Sequence, residues 1–256
     1  MTVTDPRARY ERDGYVIFRE VLDPDLVAEA DRHVDWLLAK HPGIGPDQLD
    51  HHLARDDPFW IRLVSDPRLL DIGEVFIGPD IALFATHYIC KPPHGGRPVL
   101  WHQDGAFWPL EPMTAITLWL AVTRSDPRNG CLRVIPGTHT LDLQAMREQS
   151  DVDSVLGREI DHAVDESQAV DLVLNPGDVS VHHPQVVHGS NGNTSERWRR
   201  GLTIRYIPTS TRITDPEAAS PFLLRGQPSD SGNSYLPRPS FRDDRHMAFS
   251  GNEDWR

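Results

Sequence analysis

The chain is poor in lysine and cysteine and has no long apolar run. Among its 26 basic residues only Lys40 and Lys91 are lysine. That bias toward arginine points to a GC-rich, bacterial genome and says nothing about function. Cys90 and Cys131 are too few for a disulfide framework, so free thiols in a reducing cytoplasm are expected. No stretch approaches the roughly 20 apolar residues of a membrane-spanning helix. The opening MTVTDPRARYERDG lacks the apolar centre of a secretory signal. Positive charge is also short. With 26 Lys and Arg against 38 Asp and Glu the net charge is -12, which excludes the basic surface that nucleic acid or an anionic membrane rewards. A small molecule is the expected partner.

What is present suffices for a core: 38% hydrophobic residues, with 7 Trp and 8 Phe, in a chain of 256. Chains of this length in all-β sandwiches or barrels are often undivided, so a single domain over 1–256 is expected. Residues 1–80 read as mostly helical. The stretch DGYVIFREVL (13–22) gives a short strand running into a helix start, and Asp23 with Pro24 forms a cap and first turn. Leu26, Val27, Ala30, Val34, Leu37 and Leu38 then share one face of a helix over 24–40. Asp57-Pro58 and Asp66-Pro67 open further helices. After residue 80 the texture changes to short β-branched and aromatic runs: 81–91, 98–103, 114–123, 130–135, 168–174, 178–183, 185–190 and 201–207. Clusters such as KPPHGG, SDPRNG and NPGD separate most of them. Residues 81–207 therefore predict the strands of a sandwich or barrel. The polar, Pro- and Gly-rich segment 208–256 is either a loop-rich cover or a tail.

Chemistry concentrates in three places. In WHQDGAFWPL, a strand over 98–104 would turn His102 and Asp104 to one side, two ligand types able to grip one metal ion. HHPQVVHGS offers His182, His183 and His188 as a third ligand; His188, after Val186-Val187 and before Gly189-Ser190, is the strongest, and the pair before Pro184 reads as structural or rim. The reversal signal around Asn191-Gly192-Asn193 predicts that 200–207 returns antiparallel beside 185–190, bringing an arginine near the metal. Arg199 and Arg200 alternate faces, so one of them points inward. A guanidinium there suits a dicarboxylate, because its planar fork holds a carboxylate in bidentate fashion.

HQD at 102–104, NGCLRVIPGTH at 129–139 and VVHGSNGN with WRRGLTIRY within 186–206 together resemble the phytanoyl-CoA dioxygenase family of iron(II)/2-oxoglutarate oxygenases. KPP at 91–93 and DGYVIFREVL near the N-terminus fit the same pattern. The resemblance runs in order over about residues 10–207. It implies a mainly β fold, a double-stranded β-helix of jelly-roll or cupin-like type, as a barrel with N-terminal helices packed outside.

Carried over by position, His102, Asp104 and His188 match the family's iron ligands. Arg199 matches the arginine that binds the far carboxylate of 2-oxoglutarate, and it is the resemblance that selects it over Arg200. Trp119 matches a tryptophan lining the co-substrate pocket, and His87 falls where a further co-substrate contact stands. Implied cofactors are iron(II), 2-oxoglutarate and O2. Two histidines and a carboxylate leave iron(II) open positions for both co-substrates, and apolar walls are expected to shape the substrate pocket; Phe107, Trp108 and Trp101 are the rings nearest the motif.

The carboxylate at 104 argues for oxygen insertion rather than halogenation, which family relatives carry out with a small residue at that position. The expected reaction is hydroxylation of an unactivated C–H bond in a bacterial natural product or amino-acid-like metabolite, releasing succinate and CO2, with desaturation and ring formation as open outcomes of the same chemistry. A non-catalytic metal-binding barrel and an iron oxygenase that does not use 2-oxoglutarate are the alternatives. Phe222 to Arg225 is a candidate lid.

Overall fold

A computed structural model of the chain describes residues 5–256. Residues 1–4, which open the stretch read as lacking a secretory signal, lie outside the described residues. Among the described residues the five α-helices are α1 (Pro6–Asp13), α2 (Pro24–Lys40), α3 (His51–Ala54), α4 (Pro58–Val64) and α5 (Pro67–Ile77). Each is opened by an aspartate whose side chain accepts from a first-turn backbone N–H: Asp5, Asp23, Asp50, Asp57 and Asp66. Four of these aspartates precede a proline, which loses no helical bond at the first position. Among the described residues no helix is long and apolar enough to cross a membrane.

The strands are β1 (Tyr15–Phe18), β2 (Ile81–Tyr88), β3 (Val99–His102), β4 (Leu110–Glu111), β5 (Ile116–Ala121), β6 (Arg133–Val134), β7 (Met146–Glu148), β8 (Arg158–Ile160), β9 (Val170–Asp171), β10 (Val179–His182), β11 (His188–Ser190), β12 (Gly201–Pro208), β13 (Arg212–Ile213) and β14 (Phe222–Arg225). They form a jelly roll of two principal antiparallel sheets. One has the order β1-β10-β5-β12-β2-β14, the other β3-β11-β6-β9. No hydrogen-bonded ladder joins the two sheets among the described residues, so the roll is an open sandwich rather than a closed barrel.

The main core lies on the outer face of the six-stranded sheet. There Leu118, Leu120, Leu202, Ile204 and Tyr206 pack on Val34, Leu37, Trp60, Leu63 and Leu69 of the helices. Phe241, Phe249 and Trp255 join the same cluster, so parts of 208–256 pack on the helices. The expected lid is corrected. Residues 222–225 form the edge strand β14 beside β2, with Phe222 buried in the core, and they do not reach the cavity described below.

One strand pairing differs from expectation. β12 lies between β5 and β2, while β11 lies between β3 and β6 in the other sheet. The turn after Ser190 therefore carries the chain across the sandwich instead of closing a hairpin. The apolar alternation of 201–207 is satisfied by any buried neighbour, and a ten-residue connection leaves several within reach.

Candidate active site

The inner faces of the two sheets enclose a cavity of about 230 Å³. Register explains what lines it. Across the six-stranded sheet, His182, Thr117 and Arg205 stand in one row. Ser180, Trp119, Thr203 and His87 stand in the next inward-facing row, two residues along each strand. From the opposite sheet, His102 and His188 are direct Cα partners in the β3–β11 ladder, and Val134 pairs with His188 from the other side.

β3 stops at His102. Asp104 is not a strand residue, as the sequence had suggested, but the first residue of a 3₁₀ turn, Asp104–Phe107. That turn still swings its carboxylate back to the histidines. His102 Nε2 lies 3.7 Å and His188 Nε2 4.0 Å from Asp104 Oδ1. Two atoms each about 2.0–2.2 Å from a shared ion can be no more than roughly 4.4 Å apart, so these separations fit a common metal. The three side chains form a buried group whose ligand atoms lie within 4.8 Å of one another.

Their hydrogen bonds set the right tautomers. His102 Nδ1 meets Leu100 O at 2.8 Å, and His188 Nδ1 meets Val186 O at 2.9 Å. A carbonyl only accepts, so each Nδ1 carries the proton and each Nε2 turns a lone pair to the centre. Thr117 Oγ1 donates to Asp104 Oδ2 at 3.0 Å, leaving Oδ1 toward the histidines.

Burial pushes the Asp104 carboxyl upward, but the Arg205 charge and contacts with His102 and His182 outweigh it and hold the group well below the usual carboxylate range. Burial, with His102 and His182 alongside, keeps His188 neutral well below an ordinary histidine. An anionic carboxylate and a neutral imidazole are the forms a metal takes.

Deeper in the cavity stands Arg199, 2% exposed, with Nε and Nη2 lacking any hydrogen-bond partner. Its Cζ is 5.4 Å from the Trp119 ring centroid. Burial lowers its pKa only to about 10, so it remains a cation. Arg200 takes the other face: its guanidinium donates to Asp31 and Asp35 on α2. A buried, charged, unpartnered fork is costly unless an anion completes it. The residues present thus fit a metal at one end of the cavity and a carboxylate at the other.

The remaining expected residues divide. Phe107 and Trp108 line the cavity, Phe107 tilted edge-on to His102 with centroids 6.0 Å apart. His87 also lines it, but its Nε2 is bonded to Asp47 O at 3.0 Å, and burial, reinforced by Arg205, lowers its pKa to about 4. Its free Nδ1 therefore accepts rather than donates, which limits it as a carboxylate contact. Trp101 does not line this cavity. It neighbours His102 on the strand, so it faces the other side, where it packs against a cluster of Ile135, Ile160 and Val187 beneath the Arg133 guanidinium.

Of two further cavity residues, the sequence reading set His182 aside as structural or rim and missed Arg205. His182 is fully buried beside Asp104, its Nε2 3.5 Å from Oδ2, with neither ring nitrogen hydrogen-bonded. Arg205 enters the cavity from β12. Their inward alternation with Ser180 and Thr203 was the available signal.

The chain is 27% identical over 253 residues to the ectoine dioxygenase of Sphingopyxis alaskensis, covering 87% of this chain and 83% of that protein. It is 33% identical over 229 residues to the peroxisomal phytanoyl-CoA dioxygenase of Rattus norvegicus, covering 79% and 67%. Among solved structures, the apo form of the non-heme monooxygenase ThoJ superposes with a TM-score of 0.79 at 28% identity, over 92% of this chain and 88% of that one. The family model described as phytanoyl-CoA dioxygenase matches residues 10–201. The chain belongs to the phytanoyl-CoA dioxygenase family and is a 2-oxoglutarate-dependent dioxygenase.

Proposed function

We propose that the protein hydroxylates a small organic molecule at an unactivated C–H bond, with iron(II) held by His102, Asp104 and His188 and 2-oxoglutarate held by Arg199. The observation that carries this reading is the pairing of two unmet demands in one cavity. A buried His-Asp-His group converges on one point, and a buried guanidinium lacks an anion. A non-catalytic metal site accounts for the first but not the second. An oxygenase without 2-oxoglutarate leaves Arg199 unexplained.

Bound there, iron and 2-oxoglutarate supply the oxidative chemistry, in which the co-substrate loses CO2 to become succinate and one oxygen atom enters the substrate. The chain's own residues do the rest. Leu100 and Val186 carbonyls lock the two imidazoles, so no reorientation is needed on metal binding. Thr117 fixes the carboxylate so that one oxygen is available. Arg199 sets the direction of the co-substrate by taking its far carboxylate, and the Trp119 face closes one side of that subsite. Phe107, Trp108, Val155 and Leu156 cover the substrate side with apolar surface and exclude water.

The helices, the six-stranded sheet and the C-terminal cover share one core cluster, which supports reading the chain as one oxygenase domain. Two buried free cysteines agree with a reducing compartment, the cytoplasm in our reading. An amino-acid-like or natural-product metabolite is the proposed substrate class. The test is turnover: purified protein with iron(II), 2-oxoglutarate and O2 is screened against such compounds for succinate release and a product heavier by one oxygen atom. Failure of every compound together with failure to bind iron(II) would refute the reading.

A further inference from the structure

Arg205 lends its charge to Asp104 but makes no hydrogen bond to it. It pairs in register with Thr117 on β5 and Ala85 on β2, and a ladder irregularity follows it before Tyr206. Its Nη2 is 3.9 Å from Asp104 Oδ1, too far for a hydrogen bond, and its Nε is buried without a partner. The Trp108 ring centroid lies 5.4 Å from its Cζ. The side chain is only 14% exposed.

The nearby carboxylate does not discharge this demand. Asp104 already accepts from Thr117 and belongs to the metal group. Arg199 stands elsewhere in the cavity against Trp119, and Arg200 is spent on Asp31 and Asp35. His51 and His87, the titratable neighbours that Arg205 disfavours in charged form, stay neutral and bring no anion. A guanidinium so buried is costly unless an incoming anion completes it. Trp108 stands against it, and Phe107 and Leu156 add apolar wall to the same cavity.

We propose that Arg205 is the substrate anchor, and that the substrate is an organic acid whose carboxylate meets this guanidinium while its apolar body lies against Trp108 and Phe107. The inference builds on the proposed oxygenase reading for what then happens to the bound acid. Because the anchor approaches a metal-ligating oxygen, the carbon oxidised is close to the carboxylate, at the α or β position.

The probes are 3-phenylpropionate and its neutral isostere 3-phenylpropionamide, titrated calorimetrically into the full chain, both metal-free and loaded anaerobically with iron(II) and 2-oxoglutarate. Wild type should bind the acid roughly tenfold or more tighter than the amide. Arg205→Gln should erase that preference and Arg205→Lys should keep part of it. The 2-oxoglutarate affinity of Arg205→Gln, read from the visible charge-transfer absorption of the anaerobic complex, should stay within about threefold of wild type. Equal affinity for acid and amide, no binding of either, or a Gln variant that keeps the preference but loses 2-oxoglutarate or metal would overturn the proposal. A protein that prefers the acid yet forms no charge-transfer complex refutes the oxygenase reading and leaves the anchor standing.

Discussion

His188 stands directly opposite His102 in the β3–β11 ladder, with ring centroids 4.1 Å apart. Two buried imidazoles so close, each with its Nδ1 proton tied to a carbonyl, offer lone pairs to a common point and need a cation between them. Substituting one should leave the fold intact and remove the cation. We expect His188→Ala to lower iron(II) affinity by at least about a hundredfold in anaerobic titration. Metal-free, it should melt within a few degrees of wild type. Normal metal binding by the variant would place the ion elsewhere.

Thr117 tests the layer behind the ligands. Its hydroxyl holds Asp104 Oδ2, and the other neighbour of that oxygen, His182 Nε2, is at 3.5 Å. Thr117→Val keeps the shape and removes the donor. Metal affinity should fall by about tenfold, with no change in the secondary-structure spectrum. An unchanged affinity would mean that the carboxylate is positioned by the metal alone.

The adjacent arginines should separate cleanly. Arg199→Gln should weaken 2-oxoglutarate binding by roughly 10- to 100-fold, the loss expected for a charge-assisted contact. Arg200→Gln should leave that affinity untouched. It removes surface-facing bonds to Asp31 and Asp35 and should cost about 1 kcal/mol of stability in denaturant unfolding. The reverse pattern would exchange the assignments.

Acid should destabilise the metal-free protein over a defined window. Burial, aided by a neighbouring charge, lowers His51 and His87 from the ordinary 6.5 to about 4. Below pH 6.5 the unfolded chain therefore binds protons that the folded one refuses, so the contribution of these two histidines is complete above about pH 7 and stability falls as pH drops toward 4. Melting temperatures from pH 8 to 4.5 check this. A melting temperature that holds or rises between pH 6.5 and 5 would contradict it.

Local signals in the sequence carried through. The aspartate caps before Pro24, Pro58 and Pro67 open helices because cap and first turn interact within four residues. Most strands fall within 81–207, while β1, β13 and β14 lie outside it, and His102, Asp104 and His188 do converge. Long-range choices were not readable. Nothing in 201–207 specifies β5 and β2 as its neighbours over β11. Trp101 faces away from the cavity because it alternates with His102 on β3, a consequence that strand periodicity alone implied. The C-terminal packing depends on three scattered aromatic side chains finding the helix face, which composition does not reveal. His182 was discounted for standing near Pro184, whereas its register opposite Thr117 turns it inward beside Asp104.

Anomalous diffraction at the iron edge, from crystals grown anaerobically with iron(II) and 2-oxoglutarate, addresses the central claim most directly. The account predicts one peak within about 2.3 Å of His102 Nε2, His188 Nε2 and an Asp104 oxygen, with the co-substrate's far carboxylate on the Arg199 guanidinium. A peak held by His182 in place of either histidine, or a co-substrate turned away from Arg199, would contradict it.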